Sequence, residues 1–149
     1  MIDETGTSFA VVTFGADGAA VGAGWVARIR ALGRPLWEWP GSAGVADVEG
    51  GLKALGEQVA AARVGWRLLV AGPEADVLRA RAVALAGGAV DAEVTAVVTD
   101  DRTRRVWCAH CGTTTPTGDP SVRCSGCGRA LVVHDHLSRR RAAYLGSVG

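Results

Sequence analysis

Four cysteines arranged as two pairs impose the strongest constraint on the fold of this chain. Cys108 and Cys111 are separated by two residues, as are Cys124 and Cys127, and residues 112–123 lie between the pairs. Two residues between cysteines let a tight turn direct two thiolates at one ion, and a second such turn completes a tetrahedron. The spacing therefore predicts a closed, structural zinc site of the zinc-ribbon type.

The residues around the cysteines favour the same interpretation. Gly112 and Gly128 follow the two pairs and suit the backbone curl that brings amides close to metal-bound sulfur. Iron in a rubredoxin-like site uses the same geometry, and four reduced cysteines packed as small apolar side chains are a second alternative. His110 lies within the first pair and could replace a cysteine, but four thiolates already complete the shell.

Charge divides the chain at Asp100. Residues 1–100 carry eight basic and twelve acidic side chains, a net charge of −4, whereas residues 101–149 carry eight arginines and three aspartates, a net charge of +5. A short basic segment can meet nucleic acid or an acidic protein face. A zinc-ribbon adaptor that binds nucleic acid is therefore one hypothesis for this chain.

The first residues indicate the compartment in which the chain works. They are acidic and lack the positive and apolar regions of a signal peptide. No apolar run reaches the roughly 18 residues that span a bilayer. Both features predict a cytoplasmic protein without a membrane-spanning segment. In that compartment cysteines are kept reduced and more often bind metal than form disulfides.

Hydrophobic periodicity predicts an α/β fold for residues 1–100. Short apolar runs rich in β-branched residues predict strands, and apolar positions at helical spacing lie between them. Asp47 is the expected N-cap of the second helix, and Pro73 the expected first residue of the third. The order is β-α-β-α-β-α-β, with strands at residues 7–14, 36–39, 67–71 and 93–99. Such an order implies a small, mostly parallel, three-layer sheet of the Rossmann-like kind, followed in residues 101–149 by the zinc ribbon and a basic tail.

Glycine-rich segments raise the question of a nucleotide site. Four glycines are expected between the first strand and the first helix, where Rossmann-like folds bind a pyrophosphate: Gly15, Gly18, Gly22 and Gly24. Their spacing differs from G-x-G-x-x-G, and Asp17 would repel phosphate. The Gly-Pro-Glu turn at residues 72–74 is similarly acidic. A glycine-rich turn without a nucleotide is favoured, and a nucleotide-binding electron-transfer component is an alternative.

The basic tail carries the candidates for contact with a partner. Residues 139–145 predict a short amphipathic helix capped by Ser138, which is either a solvated terminus or a docking element. The residues expected to contact a partner are His134, His136, Arg139, Arg140 and Tyr144. The sequence contains no recognisable catalytic triad, Walker loop or acid–base carboxylate pair. No catalytic or cofactor-binding residue is therefore expected.

Five segments together carry a resemblance to a known family. They are RVWCAHC at 105–111, CSGCGR at 124–129, LVVHDHLSRRRAAYLG at 131–146, LLVAGPEADV at 68–77 and GAVDAE at 88–93. These segments resemble the small subunit of dimethylamine monooxygenase, the DmmA-like family. The resemblance covers roughly residues 65–146 and is most specific in the tail.

The resemblance implies a role in a multi-subunit haem monooxygenase. In that family the small subunit is associated with a haem-containing oxidative N-demethylase subunit and with a reductase that carries FMN and an iron–sulfur cluster. The assembly uses NAD(P)H and dioxygen to convert dimethylamine or a similar secondary amine into a primary amine and formaldehyde. The resemblance thus assigns haem, FMN, the iron–sulfur cluster and NAD(P)H to partner subunits. It leaves this chain as a non-catalytic subunit with structural zinc.

Overall fold

The computed structural model describes residues 2–41 and 45–149, which contain two β-sheets. The first sheet and its helices comprise β1 Ser8–Phe14, α1 Gly15–Ala31, β2 Leu36–Gly41, α2 Val45–Ala60, β3 Trp66–Pro73, α3 Glu74–Ala86 and β4 Val94–Asp100. The second sheet comprises β5 Arg104–Cys108, β6 Thr114–Thr117, β7 Ser121–Arg123, β8 Ala130–Ser138 and β9 Ala143–Val148. The expected α/β class is confirmed. None of the described helices is both long and apolar enough to cross a bilayer.

The first sheet is parallel throughout, with the strand order β2-β1-β3-β4. Successive residues of β1 face opposite sides, so Phe9 and Val11 pack with α1, whereas Val12 and Phe14 pack with α2 and α3. In β3 the run Leu68–Ala71 is buried throughout, as expected for a central parallel strand. The expected parallel sheet is confirmed, and helices cover both of its faces.

The glycine-rich segment lies in α1, so the expectation of a turn before the helix is wrong. α1 begins at Gly15, whose φ is 76°. Gly18 is buried, and a methyl group there would lie 2.6 Å from the carbonyl oxygen of Ala71 in β3. Gly22 is likewise buried, against β1, and Gly24 continues the helix. The missing side chains at positions 18 and 22 therefore let the helix approach the sheet closely.

Two helix starts differ by a few residues from the expected ones. α2 begins at Val45, so Asp47 lies in its first turn and is not the N-cap. Pro73 ends β3 and is the N-cap of α3, whose first residue is Glu74. In both helices acidic side chains still occupy the first turn, where they complement the helix dipole.

The second sheet consists of two hairpins with a fifth strand between them. β5 pairs antiparallel with β6, and β7 pairs antiparallel with β8. β9 lies between β5 and β8, parallel to β5 and antiparallel to β8, which gives the order β6-β5-β9-β8-β7. The buried core of this sheet contains Val106, Cys108, Cys124 and Leu131. Two of the four cysteines are therefore part of its core.

Residues 143–148 form a strand, so the helix expected after Ser138 is wrong. Ser138 Oγ accepts a hydrogen bond from the N–H of Arg141 at 3.3 Å, but this bond closes a turn that leads into β9. Ala142 has a φ of 52° at the end of that turn. Because β9 pairs along both edges, its tertiary contacts outweigh the local helix propensity of the Arg-Arg-Arg-Ala-Ala segment.

The second sheet contacts the first 100 residues through β9 and the turn before it. The phenol of Tyr144 donates a hydrogen bond to the carboxylate of Glu74, at the start of α3. The guanidinium of Arg104 lies over the Tyr144 ring, 4.4 Å from its centroid. Arg139 lies 3.9 Å from Asp91, in the 3₁₀ turn that precedes β4. These contacts lie at both ends of α3, at its first residue and in the turn between α3 and β4, so the second sheet extends along this helix.

Candidate metal centre

Each cysteine pair occupies the turn of one hairpin in the second sheet. Cys108 is the last residue of β5, and Cys111 lies in the turn that leads to β6. Cys124 directly follows β7, and Cys127 lies in the turn before β8. Each hairpin therefore presents two thiols at its turn.

The two turns share the same backbone structure. The N–H of Gly112 donates to the carbonyl of Cys108 at 2.8 Å, and the N–H of Gly128 donates to the carbonyl of Cys124 at 3.0 Å. Both glycines have a positive φ, 80° and 74°, a conformation that favours glycine. The expected backbone curl at these glycines is confirmed, and the two half-sites are built alike.

The two turns bring the four sulfur atoms together. The cysteines form no disulfide, and their Sγ atoms all lie within 4.8 Å of one another. Two short distances join different turns, 3.5 Å between Cys111 and Cys124 and 3.9 Å between Cys108 and Cys127. A metal bound at about 2.3 Å to each of four thiolates separates the sulfurs by roughly 3.8 Å. The donor atoms and their spacing thus fit a four-coordinate metal ion.

Hydrogen bonds at two of the sulfurs lower the pKa values of their thiols. Cys111 is exposed and its sulfur lies 3.3 Å from Thr113 Oγ1; side-chain and backbone hydrogen bonds with Thr113 lower the pKa of Cys111 to about 6. The N–H groups of Cys127 and Gly126 lie 3.5 and 3.4 Å from the sulfur of Cys124 and lower its pKa. Metal ligation requires deprotonated cysteines, so these donors prepare the site for a cation.

The pKa of Cys127 changes in the opposite direction. The N–H of Arg129 lowers it, but burial and the three neighbouring sulfurs together raise the pKa of Cys127 to about 11. Four crowded thiolates repel one another, and a cation placed among them replaces that repulsion by attraction. The cluster is therefore matched to a positive ion at its centre.

The four sulfur ligands leave no coordination position for water or substrate. Catalytic metal sites keep one such position open. His110 is exposed in the first turn, and among the described residues the clustered ligand groups are the four cysteines. The arrangement suits a structural site that joins two hairpins and contributes folding free energy.

Hydroxyl side chains near the cysteines also join the two hairpins. Thr115 in β6 is buried, and its Oγ1 accepts a hydrogen bond from the N–H of Ser125 at 3.1 Å. The two hydroxyl oxygens lie 2.9 Å apart. Sequence reasoning missed this pair, because the only signal is a run of three threonines after Gly112, which by itself indicates a preference for strand.

Both candidate histidines lie on β8, where its register with β9 shifts. His134 and His136 are exposed, and the shift falls between Val133 and Leu137. The Nε2 of His134 lies 2.6 Å from the hydroxyl of Ser147 in β9. His136 lines a small cavity of about 220 Å³ together with residues of β5 and β9. The two imidazoles therefore have different surroundings.

The other candidate contact residues follow β8. Arg139 and Arg140 are exposed in the turn between β8 and β9. Tyr144 lies in β9 and is half-buried, because its hydroxyl contacts Glu74 and its ring lies under Arg104. The arginines are thus accessible to a partner, whereas the tyrosine already has contacts within the chain.

The carboxyl end of the first sheet is acidic and carries part of the second sheet. In open parallel sheets ligands bind beside this end, where the strand order reverses. Here Glu74 follows β3, Asp100 ends β4, and Asp17 lies in the first turn of α1. Tyr144 contacts Glu74 at the same place. This arrangement offers no support for a phosphate at the glycine-rich segment.

The second sheet is similar to a domain of a known protein family. Residues 105–147 match the family described as "Dimethylamine monooxygenase subunit DmmA-like, C-terminal domain". The match includes all four cysteines and extends into β9. No solved structure gives a significant match to the chain.

A curated relative has a name from the same class of enzyme. The chain is 42% identical over 86 residues to a protein of Ectopseudomonas mendocina (strain ymp) named "Heme-dependent oxidative N-demethylase delta subunit". The aligned region covers 57% of this chain and 49% of the relative, so the chain spans about half the length of the relative it matches. Residues 105–147 thus match the DmmA-like C-terminal domain family, which confirms the resemblance carried by the sequence motifs.

Proposed function

We propose that this protein is a zinc-binding, non-catalytic subunit of a multi-subunit haem-dependent oxidative N-demethylase. The observation that carries the proposal is the 42% identity over 86 residues to a protein named as the delta subunit of such an enzyme. The family match over residues 105–147 supports it, because the matched region contains the complete cysteine cluster.

Zinc is the metal that the cysteine cluster suits best. The spacing of two residues within each pair and the hairpin turns that carry the pairs are typical of a zinc ribbon. The two short distances between sulfurs of different turns, 3.5 and 3.9 Å, lie close to the edge of a zinc–thiolate tetrahedron. Iron accepts the same four ligands, and elemental analysis distinguishes the two metals. With either metal the closed shell favours a structural role.

The proposed fold is a small Rossmann-like, three-layer α/β domain at residues 1–100 followed by a zinc-ribbon module at residues 101–149. The parallel sheet with helices on both faces supports the first part. The hairpins with cysteines at their turns support the second. A short segment, residues 101–103, connects the two parts.

The partners in this proposal are a haem oxygenase subunit and a reductase subunit. In this assignment the oxygenase subunit would hold the haem, and the reductase subunit would hold FMN and an iron–sulfur cluster and bind NAD(P)H. The complex converts dimethylamine or a similar secondary amine into a primary amine and formaldehyde, in the cytoplasm. This chain supports the assembly of those subunits.

The docking surface we propose surrounds the turn between β8 and β9. His134, His136, Arg139 and Arg140 are exposed there, and cationic side chains can pair with carboxylates of a partner. Tyr144 lies beneath this surface and holds β9 to α3. The role of the tyrosine is therefore to support the docking surface.

Binding of nucleic acid is the less favoured role. Several arginines of the basic segment are engaged within the chain: Arg102 with Asp100, Arg104 with Asp135, and Arg123 with the carbonyl of Gly128. Electrostatic binding of phosphate backbones depends on free cationic groups. A nucleotide-binding electron-transfer role has no support at the acidic carboxyl end of the first sheet.

Co-purification tests the proposal. The chain is expressed with the haem and reductase subunits from the same source, purified through a tag on the haem subunit, and the metal and cofactor content is assigned chain by chain. We expect a stable complex, with zinc on this chain and oxidation of dimethylamine to formaldehyde. A chain that neither joins the complex nor changes its activity would contradict the assignment.

A matched pair of variants tests the docking surface. Arg140→Ser should weaken association by roughly tenfold, or about 1.4 kcal/mol. Arg34→Ser, an exposed arginine in the loop between α1 and β2, should leave association unchanged. Equal affinity for both variants would place the docking surface elsewhere while leaving the subunit assignment intact.

A further inference from the structure

A basic cleft lies between the helices α2 and α3 and the second sheet. Its volume is about 420 Å³, within the range of roughly 300–1,000 Å³ typical of small-molecule sites. Four cationic side chains from different elements line it: Lys53 of α2, Arg79 of α3, Arg105 of β5 and Arg141 of the turn before β9. The cleft contains none of the cysteines.

Positive charge dominates this cleft. One carboxylate, that of Glu49, lines it, and it pairs with Arg79 at 2.6 Å. Within residues 2–41 and 45–149, Lys53, Arg105 and Arg141 form no ion pair. The guanidinium of Arg141 stacks on the ring of Trp107, 4.0 Å from its centroid, a contact that orients the group but does not neutralise it.

Arg105 is the most confined of these cations. Its Nε is buried and has no hydrogen-bond partner among the described residues. Burial lowers the pKa of Arg105, and repulsion from Arg79 lowers it further, while Glu49 and Asp76 oppose the change. A confined guanidinium with an unpaired donor raises the free energy of the folded state unless an acceptor completes its hydrogen bonds.

We propose that this cleft binds a phosphate group, either inorganic or attached to a small organic molecule. Guanidinium groups donate paired N–H bonds that match the oxygen atoms of phosphate, and a lysine ammonium adds a further cation. Glu49, which lines the cleft, and Asp76 nearby leave the four cationic side chains with an excess of positive charge. The site goes beyond the proposed role as a subunit, since no step of that role requires it.

The apolar part of the cleft suits an organic phosphate. Leu52, Val83 and Ala142 line it next to the cationic groups. A carbon skeleton attached to the phosphate can pack on these side chains while the phosphate meets the guanidinium groups. Because the donors come from both halves of the chain, a bound phosphate also joins the second sheet to α2 and α3.

Calorimetric titration of the purified full-length chain tests the site. The probes are inorganic phosphate and adenosine 5′-monophosphate, at constant ionic strength. We expect saturable binding with a Kd of about 1 mM or below. Arg105→Gln should weaken binding by at least roughly tenfold, and Lys53→Gln by a smaller factor. Arg34→Gln, which removes an exposed arginine outside the cleft, is the matched control and should bind as the unchanged chain does.

The two variants keep the test decisive. Lys53 is exposed on α2, so Lys53→Gln preserves the fold even where Arg105→Gln disturbs the second sheet. Tighter binding of the nucleotide than of phosphate supports an organic phosphate as the ligand, and equal binding supports inorganic phosphate. Failure of both probes to bind the unchanged chain, or binding that survives both substitutions, overturns the proposal.

Discussion

Replacing Gly146 by alanine should weaken metal binding, although position 146 supplies no ligand. Gly146 is buried in β9, opposite Cys108 of β5 and Val133 of β8. An added methyl group would lie 2.5 Å from Val106 Cγ1 and 3.2 Å from Leu131 Cδ1, whereas ordinary carbon contacts are about 3.5–4.0 Å long. Because strands hold β9 on both edges, it cannot move away without disturbing the pairing beside Cys108.

The size of the effect follows from packing. Overpacking a buried site costs about 1–3 kcal/mol. Alanine also restricts the unfolded chain relative to glycine, which offsets about 0.5–1 kcal/mol. A net cost of about 0.5–2 kcal/mol remains, and because metal binding and folding of the module are coupled, it reduces zinc affinity by about 2- to 30-fold.

Competition with a chelator of known zinc affinity measures this change. Gly24→Ala is the control, because nothing lies within 4 Å of the added methyl group on α1. That variant should leave zinc affinity unchanged and raise the free energy of unfolding by about 0.5–1 kcal/mol, the usual gain from alanine in a helix. Zinc affinity of Gly146→Ala equal to that of the unchanged chain would refute the structural coupling between β9 and the cysteine cluster.

Three further predictions concern the metal, the helix contact and the tyrosine. Elemental analysis should give about one zinc per chain, and an iron–thiolate absorption spectrum would contradict this. Cys111→Ser should abolish protection from amide exchange mainly after Asp100, because the metal supplies on the order of 10 kcal/mol of folding free energy. Unchanged protection in that variant would show that the module folds without the metal. Gly18→Ala should lower the free energy of unfolding in denaturant titrations by about 1–2 kcal/mol, because its methyl group would meet a backbone carbonyl of β3, and a stabilised variant would refute the close approach. Tyr144 is the single tyrosine, so its absorbance titration should have a midpoint near 12, since burial and the hydrogen bond to Glu74 raise its pKa, and Glu74→Gln should move the midpoint toward about 10. The stabilising contribution of the neutral phenol is present below pH about 10 and is lost as the pH rises through about 12, and a midpoint of about 10 in the folded chain would exclude it.

The parallel sheet could be predicted because its signals are local. A run such as Leu68–Ala71, apolar on both faces, has few stable arrangements other than a central strand. The start of α1 was missed because glycine has a low helix propensity. Gly18 and Gly22 serve a tertiary contact with β3 and β1, which no local pattern contains.

The cysteine cluster could be predicted from the sequence and the strand β9 could not, again because the first has a local signal and the second depends on distant residues. The spacing Cys108 to Cys111, repeated in the second pair, describes the half-sites because each is a single turn. β9 pairs Tyr144 with Val106, residues far apart in the chain, so its local sequence does not indicate a strand. The cleft around Arg105 is likewise assembled from distant segments and has no sequence signature.

The position of β9 between the two hairpins determines the order in which the second sheet can fold. The hairpins β5–β6 and β7–β8 each form from neighbouring residues, but their strands are joined in one sheet through β9, which follows both of them in the sequence. β9 pairs with β8 across a short turn, but its pairing with β5 closes a long loop, which is slow because chain entropy is lost before the contacts form. A metal ion held by both hairpin turns brings β5 close to β8 and β9 first, which lowers the entropy lost in that pairing. Refolding of this sheet should therefore be faster with metal present from the start than with metal added later, so that the ion acts as a template for folding.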